Sequence, residues 1–261
     1  MKTLTLIFVV AFCVSISAHA AVVEKPITWT LDGTEFSGTV VYDDSISDAV
    51  PGVLMVPNWM GPSANAYAKA AKVAQYKYVV FVVDMYGSSV RPSNSAEAGA
   101  AAGAVRADRP MMRSRINEAL RVFKAVEGIP YDSSKTAAIG FCFGGGTVLE
   151  LGRSGTEVQG IVSFHGDLVS PMPVAKAGTI KSPMLVLHGA EDPHVPPADV
   201  AAFSAEMTAA QAAPWQLVSF SGAVHSFTNP DANGETARYH EPSAKRAFIL
   251  MNAFFDDIFA P

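Results

Sequence analysis

From about residue 52 onward the chain alternates short, mostly apolar runs with longer stretches patterned at helical spacing. Gly52-Val53-Leu54-Met55-Val56-Pro57 is one such run, and 79–83, 160–164, 184–188 and 216–220 are others. A strand buried on both faces has no solvent side to carry polar residues, so it reads as continuous apolar sequence. Between these runs, 65–75, 110–127, 198–210 and 243–259 read as helices. In 110–127 the apolar residues Ile116, Leu120, Phe123 and Val126 recur on one face. Ahead of them, 27–31 and 38–42 alternate well enough to form an antiparallel pair that turns near Asp32-Gly33. Residues 93–108, rich in Ala and Gly, read as either a weak helix or a lid segment. Strands and helices in this order imply one α/β domain with a mostly parallel central sheet and helices on both faces.

One stretch stands apart. Thr136-Ala137-Ala138-Ile139 runs into Gly140-Phe141-Cys142-Phe143-Gly144-Gly145-Gly146, and helix-like sequence follows from Thr147. A strand, a Gly-x-Cys-x-Gly turn and a helix form the setting of a nucleophile elbow, with Cys in place of the more usual serine. The turn needs small neighbours because a nucleophile there sits in a strained backbone conformation. A buried thiol in a glycine-rich turn is the plainer alternative.

In a parallel sheet, functional groups gather on loops beyond the C-terminal strand ends. Asp192 follows the 184–188 strand, His225 follows the 216–220 strand, and Trp59 follows the 52–57 strand. The order Cys142, Asp192, His225 is that of the α/β-hydrolase triad and differs from the orders of chymotrypsin and subtilisin. In that arrangement Cys142, at a helix N-terminus beside an imidazolium, is the nucleophile. His225 carries the proton to the leaving group, and Asp192 orients the ring. The backbone N–H groups of Trp59 and Phe143 are the expected donors to the oxyanion. Among the remaining histidines, His165, His188, His194 and His240 lack metal-ligand spacing, and neither metal nor cofactor is expected.

Composition narrows the setting. Lys2, an apolar run to Ser17 and then Ala18-His19-Ala20 read as a signal peptide over residues 1–20, which leaves a hydrolase domain over 21–261. Cys13 leaves with that leader, so Cys142 becomes the single thiol of an exported chain, where cysteine is otherwise kept for pairing. The expected location is the periplasm or the exterior. With Lys2 also removed, the formal charge moves from −5 to −6, which argues against nucleic acid or an anionic membrane as partner.

The residues Val82-Val83-Asp84-Met85-Tyr86-Gly87, Gly140-Phe141-Cys142-Phe143-Gly144-Gly145, His188-Gly189-Ala190-Glu191-Asp192 and His225-Ser226-Phe227 resemble the dienelactone hydrolase family of cysteine α/β-hydrolases. The resemblance implies hydrolysis of small esters or lactones through a thioester acyl-enzyme, without metal or organic cofactor. Two departures matter. Members with dienelactone activity place a glutamate in the loop after the third strand, where this chain has Asn58, an amide that cannot act as a base. They also clamp a substrate carboxylate with an arginine four residues after the catalytic His, where this chain has Asn229. Arg91, after Tyr86, is a candidate replacement for that clamp. These residues favour a direct Cys142–His225 pair and a neutral ester or lactone substrate. The rival reading is a ligand-binding or redox-sensing protein on the same scaffold.

Overall fold

A computed structural model describes residues 21–260. The expected leader over 1–20 lies outside the described residues. The chain opens with β1 (Val22–Leu31) and β2 (Thr34–Asp43), an antiparallel hairpin. Asp32 and Gly33 between them take φ of 48° and 75°, the left-handed pair that a two-residue turn of matching twist requires. β3 (Val50–Val56) and α1 (Ala64–Ala74) follow, then β4 (Val79–Val82), α2 (Ser95–Ala107) and α3 (Arg109–Lys124). β5 (Tyr131–Phe141) leads into α4 (Phe143–Arg153), and β6 (Ile161–Phe164), β7 (Met184–Gly189), α5 (Pro197–Ala209), β8 (Trp215–Phe220) and α6 (Glu241–Phe259) complete the order.

The eight strands form one sheet in the order β1-β2-β4-β3-β5-β6-β7-β8. β2 runs antiparallel to both its neighbours, and every other pair is parallel. This is an α/β-hydrolase fold. Two apolar layers cover the sheet. Ala66, Ala70 and Val73 of α1 pack with Ala247, Met251 and Phe255 of α6 on one face. On the other, Ile116 and Phe123 of α3, Val148 and Leu151 of α4, and Phe203 of α5 close the core. The strands β3, β4, β6 and β7 are buried almost throughout, which is why their sequence shows no alternation.

Residues 93–108 resolve into a helix. The Asn94 side chain accepts from the Glu97 N–H at 3.0 Å, and the Glu97 carboxylate reaches back to the Ser93 N–H at 2.8 Å. This reciprocal capping starts the helix, and Ala98, Ala102 and Val105 bury one narrow stripe of it. β5 begins earlier than its apolar run, at Tyr131. Val50 and Pro51 pair with Tyr131 and Asp132 before the register shifts at Gly52, where the Tyr131 ring fills the space a Cβ would occupy.

Candidate active site

The elbow is built by close backbone packing. Cys142 joins β5 to α4 with φ 55° and ψ −118°, a conformation costly to a side chain of its kind, by roughly 1–3 kcal/mol. The flanking glycines are required by contact. A Cβ on Gly140 would strike the Gly144 carbonyl, and one on Gly144 would strike the carbonyls of Val56 and Pro57. The first turn of α4 therefore lies directly against the end of β3, so the Trp59 loop and the elbow share one wall.

Three loops meet there. Cys142 Sγ lies 3.0 Å from His225 Nε2, and His225 Nδ1 lies 2.8 Å from Asp192 Oδ2. Asp192 is buried, and its second oxygen accepts the His194 N–H at 2.9 Å. Burial opposes a charge on His225, but the bond to Asp192 and the bond to the Cys142 sulfur outweigh it and raise the imidazole to about 10. On Asp192 the burial cost is likewise overcome, chiefly by the bond from His225, and its carboxyl is held below the usual range. The imidazole therefore holds a proton near neutral pH.

In the β3–α1 loop, Asn58 does not touch the sulfur. Its Oδ1 accepts the Met60 N–H at 3.0 Å, and its carbonyl accepts the Gly61 N–H at 2.9 Å. The Trp59 N–H between them has no hydrogen-bond partner among the described residues. Phe143, as the first residue of α4, carries one of the N–H groups a helix leaves unbonded. Tyr86 donates its hydroxyl to the Trp59 carbonyl at 2.8 Å and fixes the loop from below; burial pushes its phenol well above the usual range.

The sequence profile of the dienelactone hydrolase family matches residues 36–259. The chain belongs to the dienelactone hydrolase family. It is similar, at 32% identity and a TM-score of 0.85, to the crystal structure of a dienelactone hydrolase-like promiscuous phosphotriesterase from metagenomic libraries, over 92% of this chain and 100% of that one. A solved structure named m3DLH matches at 31% identity and a TM-score of 0.84, with 92% of this chain and 100% of that chain covered. An uncharacterized protein of Caenorhabditis elegans is 31% identical over 157 residues, 57% of this chain and 95% of its own length.

In this member of the dienelactone hydrolase family, Arg91 is not placed to clamp a substrate. Its Nη1 donates to the carbonyls of Gly87 and Val90, and its Nη2 lies 3.0 Å from Asp84 Oδ2. Asp84 is fully buried and needs that charge, since its other oxygen is already bonded by the N–H groups of Tyr86 and Gly87. The expectation of a clamp there is corrected: Arg91 neutralises Asp84. Asn229 Oδ1 accepts from Asn65 Nδ2 at 3.1 Å, which ties the His225 loop to the start of α1.

Three side chains at the site escaped the sequence reading. His165 is buried, with φ of 40°; its Nδ1 accepts the Cys142 N–H at 3.1 Å, and its Nε2 lies 2.8 Å from Thr228 Oγ1. Burial and the neighbouring charges of His225 and Lys69 keep it neutral. A His-Gly-Asp sequence directly after a buried strand was the available signal. Arg106 of α2 lies over the Phe143 ring, 5.4 Å from its centroid, while its Nε bonds Asp167 at 2.7 Å. Lys69 of α1 sets its ammonium 4.1 Å from the centroid of the Phe141 ring, just behind the elbow. Among the described residues, no three His, Cys, Asp or Glu side chains converge as a metal site would need.

Proposed function

We propose that the protein is an exported carboxylic-ester or lactone hydrolase with Cys142 as nucleophile, His225 as acid and base, and Asp192 as the residue that orients the ring. The family supplies the coarser part, a dienelactone hydrolase-like hydrolase acting on small esters or lactones in general. The observation that carries the finer part is the continuous contact from sulfur through imidazole to carboxylate, 3.0 Å and then 2.8 Å. Export rests on the pattern of residues 1–20 alone.

The sulfur attacks the carbonyl carbon and forms a C–S bond, and the carbonyl electrons move onto oxygen. The Trp59 and Phe143 N–H groups receive that oxyanion, each worth on the order of 3 kcal/mol in the transition state. As the tetrahedral species collapses, the C–O bond to the alcohol breaks, and His225 Nε2 protonates the departing oxygen. Water then attacks the thioester, His225 takes its proton, the C–S bond breaks and a carboxylate leaves. In a lactone the alcohol stays tethered to the acyl group.

Asn58 fits this cycle because its side chain serves the loop, and the group set against the sulfur is the His225 imidazole. With Arg91 engaged by Asp84 and no arginine at 229, a neutral substrate is favoured over one bearing a carboxylate. The test is turnover of short p-nitrophenyl esters and small lactones, with phosphotriesters added to the panel because a relative carries that activity in its name. Mass spectrometry of the acid-quenched enzyme is expected to find an acyl group on Cys142. Turnover that survives Cys142→Ala would refute the assignment.

A further inference from the structure

Between α1 and α6, on the sheet face opposite α3 and α4, lies an open groove of about 770 Å³. That size suits a small organic ligand. Its walls are mixed, cationic and apolar. Lys69, Lys72 and Thr228 line it beside the apolar Phe248 and Ile249, and Asp231 and Lys245 also face it. Ile249 is 56% exposed and Tyr76 is 52% exposed, so the groove offers apolar surface without a cover.

Lys69 is the unusual member. Its ammonium has no hydrogen bond and no carboxylate partner among the described residues, only the face of the Phe141 ring. The acids nearby are otherwise engaged: Asp231 Oδ2 holds Asn65 Nδ2 at 2.8 Å, and Glu241 pairs with Lys245 at 2.6 Å. Burial, the largest influence, lowers Lys69 to about 8, and neighbouring Lys72 adds to the fall while Cys142 and Asp231 resist it. A protein rarely keeps a half-buried cation without an anion, because desolvation goes uncompensated.

We propose that this groove binds an amphipathic carboxylate, its anionic head on Lys69 and Lys72 and its hydrocarbon chain along Phe248 and Ile249. The site is distinct from the acyl site at Cys142 and does not depend on the hydrolytic reading. Its occupant belongs to the chemical class that ester hydrolysis releases. It would also touch Thr228, whose hydroxyl bonds the His165 ring that in turn accepts the Cys142 N–H. An occupant there therefore bears on the elbow through two hydrogen bonds.

Calorimetric titration of octanoate and decanoate into protein whose Cys142 has been carbamidomethylated tests this. Alkylation blocks the acyl site and leaves the groove open. Saturable binding is expected, tighter for decanoate, and weakened at least tenfold by Lys69→Met, with Lys69→Arg recovering part of the loss. Ile249→Glu should weaken decanoate more than octanoate. Without ligand, Lys69→Met is expected to melt no lower than the wild type, since it removes an uncompensated charge; this keeps misfolding apart from lost binding. Absence of binding to the alkylated protein would overturn the proposal. So would binding that Lys69→Met leaves unchanged.

Discussion

Helix α4 has a buried charge system at each end, and the two are built to opposite purposes. At its C-terminal end, Arg153 is bonded through all three guanidinium nitrogens: Nε on Glu206, Nη1 on Glu150, and Nη2 on both the Leu168 carbonyl and Glu206. Glu150 also receives Arg113 Nε at 2.8 Å, and Glu206 receives the Val174 N–H at 3.0 Å. At its N-terminal end, Asp192 and His225 are equally well bonded, yet the series stops at a sulfur with no further partner. The helix dipole favours negative charge at Cys142 and positive charge at Arg153. One network closes on itself, while the other ends at a sulfur with no second hydrogen bond among the described residues.

The sharpest test of that contrast is Cys142→Ala. It should lower kcat/KM for a reactive ester by at least about 10⁴-fold, on the order of 5.5 kcal/mol, while the denaturation midpoint barely moves. Arg153→Met should do the reverse. Two carboxylates then lose their buried partner, and the unfolding free energy in urea should fall by roughly 3–5 kcal/mol, with kcat/KM of the folded protein little changed. Should Arg153→Met cost under about 1 kcal/mol, the network would be ornament and the contrast would fail. Asp192→Asn lies between the two. It removes the charge that orients and supports the imidazole, and a fall on the order of 10²-fold in kcat/KM is expected, about 2.7 kcal/mol. A thiol asks less of its base than a hydroxyl does, so the loss should stay below that of Cys142→Ala.

The reactive end was far more legible in sequence than the structural one. Cys142, Asp192 and His225 each follow a short strand-like run, and a parallel sheet sends such positions to one edge. Nothing comparable marks Glu150, Arg153 and Glu206, which meet only because α4 and α5 pack on the same face. Arg91 was misassigned for a related reason. Asp84 reads as a strand-end acid, and only burial shows that it needs a guanidinium. Residues 93–108 stayed open between helix and lid because Ala and Gly give little amphipathic signal; the deciding cue was the spacing of Asn94 and Glu97. The early start of β5 was invisible because Asp132, Ser133, Ser134 and Lys135 are polar and are held by pairing with β3 rather than by burial. Nothing in the sequence of 65–75 sets Lys69 apart, and its contact with Phe141 comes from folding alone.

The smallest expected effect separates the two ends by pH. His225 has its folded value raised to about 10, against an ordinary 6.5. In the window between these values the folded ring keeps a proton that the unfolded ring has lost. The stability this supplies is fully present below about 6.5 and fades as pH rises through about 10. Asp192→Asn removes a main support of that proton, so the stability gap between wild type and Asp192→Asn should narrow across the window. The slope should be on the order of 1 kcal/mol per pH unit at most. Nuclear magnetic resonance of the His225 ring should find it protonated in the wild type near pH 8 and neutral at a lower pH in Asp192→Asn. The gap opened by Arg153→Met should stay flat over the same range, because ordinary guanidinium and carboxylate groups do not change charge there. A gap at Asp192 that is equally flat would mean that His225 holds no extra proton in the folded state.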